Sequence, residues 1–144
     1  MKRSVWLLAI WGALALGCAA IPAAVQKKAL PAMPFPELIQ QANRHIGETL
    51  ILGGYVLEVR NFEDETRIVA IQAPLDADLK PKARDLSQGL IILSKKGFLD
   101  PKVYAKDSKI TVAGKLLGSS ATKNFQIPYP SVELKLTHIH LWAN

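Results

Sequence analysis

Thr49-Leu50-Ile51-Leu52-Gly53-Gly54-Tyr55-Val56-Leu57-Glu58-Val59-Arg60 is the stretch from which the fold follows. Its β-branched and aromatic residues read as one long strand, and the glycine pair breaks it near the middle. Glycines inside a strand mark a bulge or a sharp bend, because they bring no side chain to pack. Working outward, Asn61 to Glu65 is a polar turn and Thr66 to Pro74 a second strand, so the two form a hairpin. Asp76 to Asp85 is charged, contains Pro81 and reads as a loop. Gly89 to Ser94 is a short buried strand. Lys95 to Lys106 is a loop with one helical turn at Pro101 to Tyr104, which Asp100 is placed to cap. In that loop, Phe98 and Leu99 are expected to plug one end of the domain.

Ser108 to Leu117 alternates Ile110, Val112, Gly114 and Leu116, which makes a fourth strand. Gly118 to Pro130 is a polar loop ending Ile127-Pro128-Tyr129-Pro130. Val132 to Trp142 is a fifth strand, apolar at Val132, Leu134 and Leu136 and then out of phase at Ile139 and Leu141. That change of phase predicts a bulge near Thr137. Upstream of all five strands, Glu37 to His45 follows Pro36 and precedes Gly47. Leu38, Ile39, Ala42 and Ile46 recur at helical spacing there, so the spacing predicts one short helix. A bent first strand, four more strands and one helix predict a mainly β domain over 37–144, a five-stranded antiparallel OB-like barrel. A two-sheet sandwich is the alternative.

The chain has 144 residues, enough for one domain. Hydrophobic residues make up 49%, and much of the excess lies at the start. Lys2 and Arg3 precede an apolar run of 14 residues, Ser4 to Gly17. A bilayer-spanning helix needs about 20 apolar residues. A basic start, a short apolar run and small residues at its end read instead as a secretory signal over 1–17. The run ends Leu14-Ala15-Leu16-Gly17-Cys18, which resembles the lipobox of bacterial lipoproteins. That resemblance implies cleavage before Cys18 and acylation of Cys18, palmitate included. Ala19 rather than Asp follows the cysteine, which by the enterobacterial sorting rule points to the outer membrane and its periplasmic face. Cys18 is the only cysteine, so no internal disulfide can form, and lipidation explains an unpaired thiol in an exported chain. Each buried CH₂ contributes about 0.8 kcal/mol, so several acyl chains on one cysteine make a lasting anchor.

Removal of Lys2 and Arg3 from the 18 basic residues leaves 16 against 12 acidic ones, a mild excess. After export nucleic acid is not an expected partner; the expected partners are the membrane, through the anchor, and an envelope protein. Residues 18–36 carry Pro22, Pro31, Pro34 and Pro36, and proline propagates neither helix nor sheet. The stretch reads as a tether, able to reach on the order of 50 Å when extended.

Chemistry is sparse. His138 and His140, two apart on a strand, share a face and are candidate zinc ligands. The only other histidine is His45, and Glu133 falls on the opposite face by alternation, so the reading is no metal site. Gly118-Ser119-Ser120 lacks the strand-turn-helix context of a nucleophile, and phosphate loops are absent. The Glu63-Asp64-Glu65 run reads as solvated turn charge. No enzyme and no cofactor are expected.

Several segments together resemble the Slp-type starvation-inducible outer membrane lipoproteins of Gram-negative bacteria. They are Cys18 with its signal, Ile46-Gly47-Glu48 leading to Gly53-Gly54 and Val56, and Pro74-Leu75-Asp76. The most specific is Gly97-Phe98-Leu99-Asp100-Pro101 with Tyr104. Gly114, Gly118, Pro128-Tyr129 and Leu141-Trp142 complete the set. The resemblance implies an outer membrane lipoprotein with no established catalytic activity. Three roles compete: a structural or interaction module of the envelope, a carrier of a small ligand or glycan, and, the weakest, a metal-dependent envelope enzyme using His138 and His140. The second predicts that the candidate binding aromatics Tyr55, Tyr129 and Trp142 line one groove.

Overall fold

The computed structural model describes residues 19–122 and 127–143. The expected signal, 1–17, and Cys18 lie outside the described residues. Five strands form a closed barrel in the order β1-β2-β3-β5-β4. They are β1 Thr49–Asn61, β2 Glu65–Ala73, β3 Leu90–Lys96, β4 Lys109–Ser119 and β5 Ser131–Leu141. Two short helices precede them, α1 Ala23–Lys28 and α2 Phe35–Gln41, the latter continued by one 3-10 turn over Ala42–Arg44. The expected helix is α2; it starts two residues early, because Pro34 and Pro36 fit its first turn.

One feature departs from an all-antiparallel barrel. β3 and β5 run parallel, while the other four seams are antiparallel. Strand direction cannot alternate all the way round a closed ring of five, so one seam must be parallel. Parallel neighbours cannot be joined by a tight hairpin. The chain therefore leaves β3, crosses the barrel end through 97–108, runs along β4 and returns in β5.

The glycine pair lies where closure needs it. Gly53, Gly54 and Tyr55 pair with β2 on one edge and β4 on the other. A Cβ on Gly54 would overlap the Ile71 carbonyl, and one on Gly53 would overlap the Leu75 side chain. Three further irregularities bend the wall, one of them at Leu117 in β4, between Leu116 and Gly118. Leu57 is the extra residue of a bulge in β1. In β5 the register passes from Leu136 to His138, so Thr137 bulges as expected, and its hydroxyl donates to the Ala113 carbonyl at 3.0 Å.

Alternate residues of all five strands fill the interior, among them Leu50, Val56, Ile68, Ile91, Leu93, Val112, Leu116 and Leu134. α2 closes one end through Phe35, Leu38 and Ile39, and the Ser119 hydroxyl donates to the Ile39 carbonyl at 2.7 Å. The 97–108 loop closes the other. The expectation for this plug is half met: Leu99 is buried, but Phe98 is 71% exposed. Asn61 explains the difference. Its side chain donates to the Leu99 carbonyl at 2.9 Å and accepts from the Leu99 amide at 3.1 Å. Leu99 is thereby fixed inward, and alternation turns Phe98 outward. The buried Thr66 hydroxyl reaches both Asn61 and the Gly97 carbonyl. Asp100 caps the turn by accepting from the Lys102 amide at 2.8 Å.

Residues 19–36 differ from the tether expected of them. Ile21 is fully buried, α1 packs against β1, and the Leu30 amide donates to the Thr49 carbonyl at 2.8 Å. Leu30 and Met33 pack against the core. Proline withholds a ladder donor but not apolar surface. Ile21, Leu30 and Met33 therefore pack even though the prolines keep the segment out of the sheet.

Replacing Gly54 with valine is expected to destabilise the barrel by about 3 kcal/mol or more, since the clash is with backbone. Urea unfolding followed by circular dichroism measures this. An unchanged midpoint would contradict close approach at Gly54.

Candidate functional site

Two outer surfaces of the barrel carry the aromatics singled out in the sequence. The first lies over β1 and β4, where Ala73, Gly53, Thr111 and His140 form one row across the sheet. The loop after β2 folds back over this row and makes a bridge between Leu75 and Pro81. Side chains of the wall hold the loop down. The Tyr55 hydroxyl donates to the Lys82 carbonyl at 2.7 Å, and the Thr111 hydroxyl donates to the Leu79 carbonyl at 2.5 Å. Trp142 Nε1 donates in turn to the Thr111 hydroxyl at 2.9 Å. His140 stands edge-on to the Trp142 ring, 4.5 Å between centroids, and Lys80 Nζ lies 5.7 Å from that ring. Tyr55, only 9% exposed, and Trp142 therefore clamp a loop and do not line a groove.

His138 and His140 follow the Thr137 bulge and share the outer face. His138 Nδ1 lies 3.2 Å from the Thr137 hydroxyl, and His140 is occupied with Trp142. His45 is remote in the fold, at the entry to β1, and bonds Glu48 at 2.6 Å. Among the described residues no three His, Cys, Asp or Glu side chains converge in a way that could hold a metal ion.

Tyr129 belongs to the second surface, so the three aromatics do not share one groove. Its backbone is fixed: the Leu90 amide donates to the Pro130 carbonyl at 2.8 Å, and the Ser131 hydroxyl donates to the Tyr129 carbonyl at 2.9 Å. Flanking prolines restrict it further. The residue is 62% exposed. Two open grooves meet at it. One, of about 570 Å³, runs over β2 and β3 and is lined by Leu57, Ile71 and Leu90. The other, of about 460 Å³, runs toward α2 and is lined by Pro36, Ile39 and Ile127. No Asp, Glu, Lys, Arg or His of the described residues lines either groove. Such a surface offers a rigid amphipathic anchor with apolar flanks, and nothing for acid-base work. Its residues come from distant points in the chain, which is why the sequence revealed Tyr129 but not its grooves. Leu57, apolar on the bulge of β1, was the available hint.

The family model that describes the outer membrane lipoprotein Slp family matches residues 15–144. The chain belongs to the outer membrane lipoprotein Slp family. Its location is accordingly the outer membrane. The uncharacterized lipoprotein YeaY of Escherichia coli is 28% identical over 127 residues, 88% of this chain and 65% of that protein. The outer membrane protein Slp of the same organism is 26% identical over 144 residues, 99% of this chain and 76% of that protein. An uncharacterized protein of Haemophilus influenzae is 26% identical over 128 residues, 88% of this chain and 69% of that protein. The chain thus spans about two thirds to three quarters of these relatives and falls just short of two thirds for the first. None of the described helices is long and apolar enough to cross a membrane.

Replacement of Tyr55 by phenylalanine removes the bond to the Lys82 carbonyl and is expected to cost about 1 kcal/mol. Proteolysis should also cut between Leu75 and Lys82 faster than in the wild type. Equal cleavage rates in the two chains would show that Tyr55 does not hold the loop.

Proposed function

We propose that this family member is a non-enzymatic interaction module, lipidated at Cys18 and facing the periplasm, that presents the Tyr129 surface to an envelope protein. The observation that carries this reading is the exposed, backbone-fixed Tyr129 at the meeting point of two apolar grooves. Interface anchors are enriched in tyrosine because it offers large contact area with few rotatable bonds, and a rigid one loses little entropy on binding. A contiguous apolar surface on an otherwise charged domain marks an interaction site. The anchor supports the same role, since a protein held at a membrane meets envelope partners at high local concentration.

A photo-crosslinking amino acid placed at position 129 of the full-length protein in cells is expected to capture one dominant envelope protein. The same probe at Arg67, exposed elsewhere on β2, should not capture it. Capture of the same set from both positions would refute the Tyr129 surface as the interface. Absence of protein adducts together with glycan or lipid adducts at 129 would favour the carrier role. Cys18→Ala is expected to leave the outer membrane fraction, and its quantitative retention there would refute lipid attachment as the anchor.

A further inference from the structure

The anchor and the barrel are closer than a tether would make them. Ile21 is fully buried, and its carbonyl accepts from the Gln26 side chain at 2.8 Å, which ties it to α1. Cys18 therefore precedes fixed structure by three residues, a reach of about 10 Å when extended. A lipid on Cys18 would hold α1 and its neighbours at headgroup level.

The charge at that place is one-sided. The bond from the Leu30 amide to the Thr49 carbonyl brings Lys27 and Lys28, in the last turn of α1, beside the start of β1. Thr49 lies opposite Lys115 of β4, and Lys115 lies opposite Lys135 of β5. All four lysines are exposed, and among the described residues none is ion-paired. Of the carboxylates near this band, Glu48 is engaged by His45, and Glu133 is half-buried opposite Gly118. Two exposed apolar side chains stand at the same end, Ile46 at 49% and Leu117 at 46%. They are brought together because the Gly47 amide donates to the Leu116 carbonyl at 2.8 Å and the Leu116 amide to the Glu48 carbonyl at 3.0 Å.

We propose that the band of Lys27, Lys28, Lys115 and Lys135, with Ile46 and Leu117, docks the domain directly onto the phosphate groups of an anionic lipid surface. The placement rests on Cys18 as the anchored residue; the charge pattern does not. Basic side chains next to a membrane anchor are drawn to anionic headgroups, each by about fivefold in affinity, and adjacent apolar side chains enter the interface. Docked in this way, the barrel has one orientation. The groove lined by Leu57, Ile71 and Leu90 contains none of the residues of this band and is left clear.

The test uses the chain from residue 18 with Cys18→Ser, which keeps every described residue and so the closed barrel. It is sedimented with vesicles of phosphatidylglycerol and phosphatidylcholine, and with phosphatidylcholine alone. Binding is expected only to the anionic vesicles, and it should weaken with salt. The combined Lys27→Glu, Lys28→Glu, Lys115→Glu and Lys135→Glu variant should bind at least tenfold more weakly. Lys102→Glu with Lys106→Glu, exposed in the 97–108 loop that closes the other end of the barrel, should bind as the wild type does. Thermal melting of both variants checks that they fold. Absence of binding to anionic vesicles at low salt, or equal loss in both variants, would overturn the proposal. Because this chain carries no lipid, an error about Cys18 shows itself separately, as wild-type protein that takes up no labelled palmitate in cells.

Discussion

Everything in this structure depends on β1 being occupied on all sides at once. Between Gly53 and Tyr55 both backbone edges are paired, one to β2 and one to β4. On one face Gly54 meets the Ile71 carbonyl, and on the other Gly53 lies under Leu75. A side chain at either position would separate layers that have to touch. Barrel closure, the loop folded over Thr111 and the seat of the N-terminal segment all share this one strand. Full closure also removes exposed sheet edges, the usual weakness of a small β domain.

Local chemistry was legible in the sequence and global arrangement less so. The bulge at Thr137 could be read from a phase change within β5, because a one-residue slip reverses which face is apolar. The glycine pair marked the bend in β1 for the same kind of reason. The parallel seam between β3 and β5 could not be read from any one strand, since it follows from the parity of a closed ring. Residues 18–36 misled through composition. Four prolines suggested a tether, yet Ile21, Leu30 and Met33 bury apolar surface, and burial depends on where the barrel wall lies. Phe98 and Leu99 show the same limit. Adjacent apolar residues cannot both face inward on an extended segment, and Asn61, far away in sequence, selects Leu99. For the three candidate aromatics, the sequence could not show the company each one keeps. Tyr55 and Trp142 are spent on holding a loop, which leaves Tyr129 as the exposed one.

The resulting molecule has a division of labour between its sides. The outer surface of β1 and β4 is taken up by the chain itself, with α1 packed on β1 and the loop after β2 pinned by Tyr55 and Thr111. Lysines border this covered side near the anchored end. The groove over β2 and β3 is open, mostly apolar and lined by no titratable group apart from Tyr129. On the proposed reading, this arrangement separates attachment from recognition. With Ile21 buried and Leu30 bonded to β1, residues 19–36 are packed onto the barrel, so under the proposed anchoring at Cys18 the membrane sets the direction in which Tyr129 faces.

The rigidity of this N-terminal packing can be measured by amide hydrogen exchange at Leu30. Its N–H donates to Thr49 on β1 and is the clearest single link between the N-terminal segment and the barrel. Leu30 is expected to exchange as slowly as the amides of β1 around Leu50 to Val56. If Leu30 exchanged at the rate of an unstructured peptide while those amides stayed protected, residues 19–36 would be a tether after all, and the fixed orientation would fall with them.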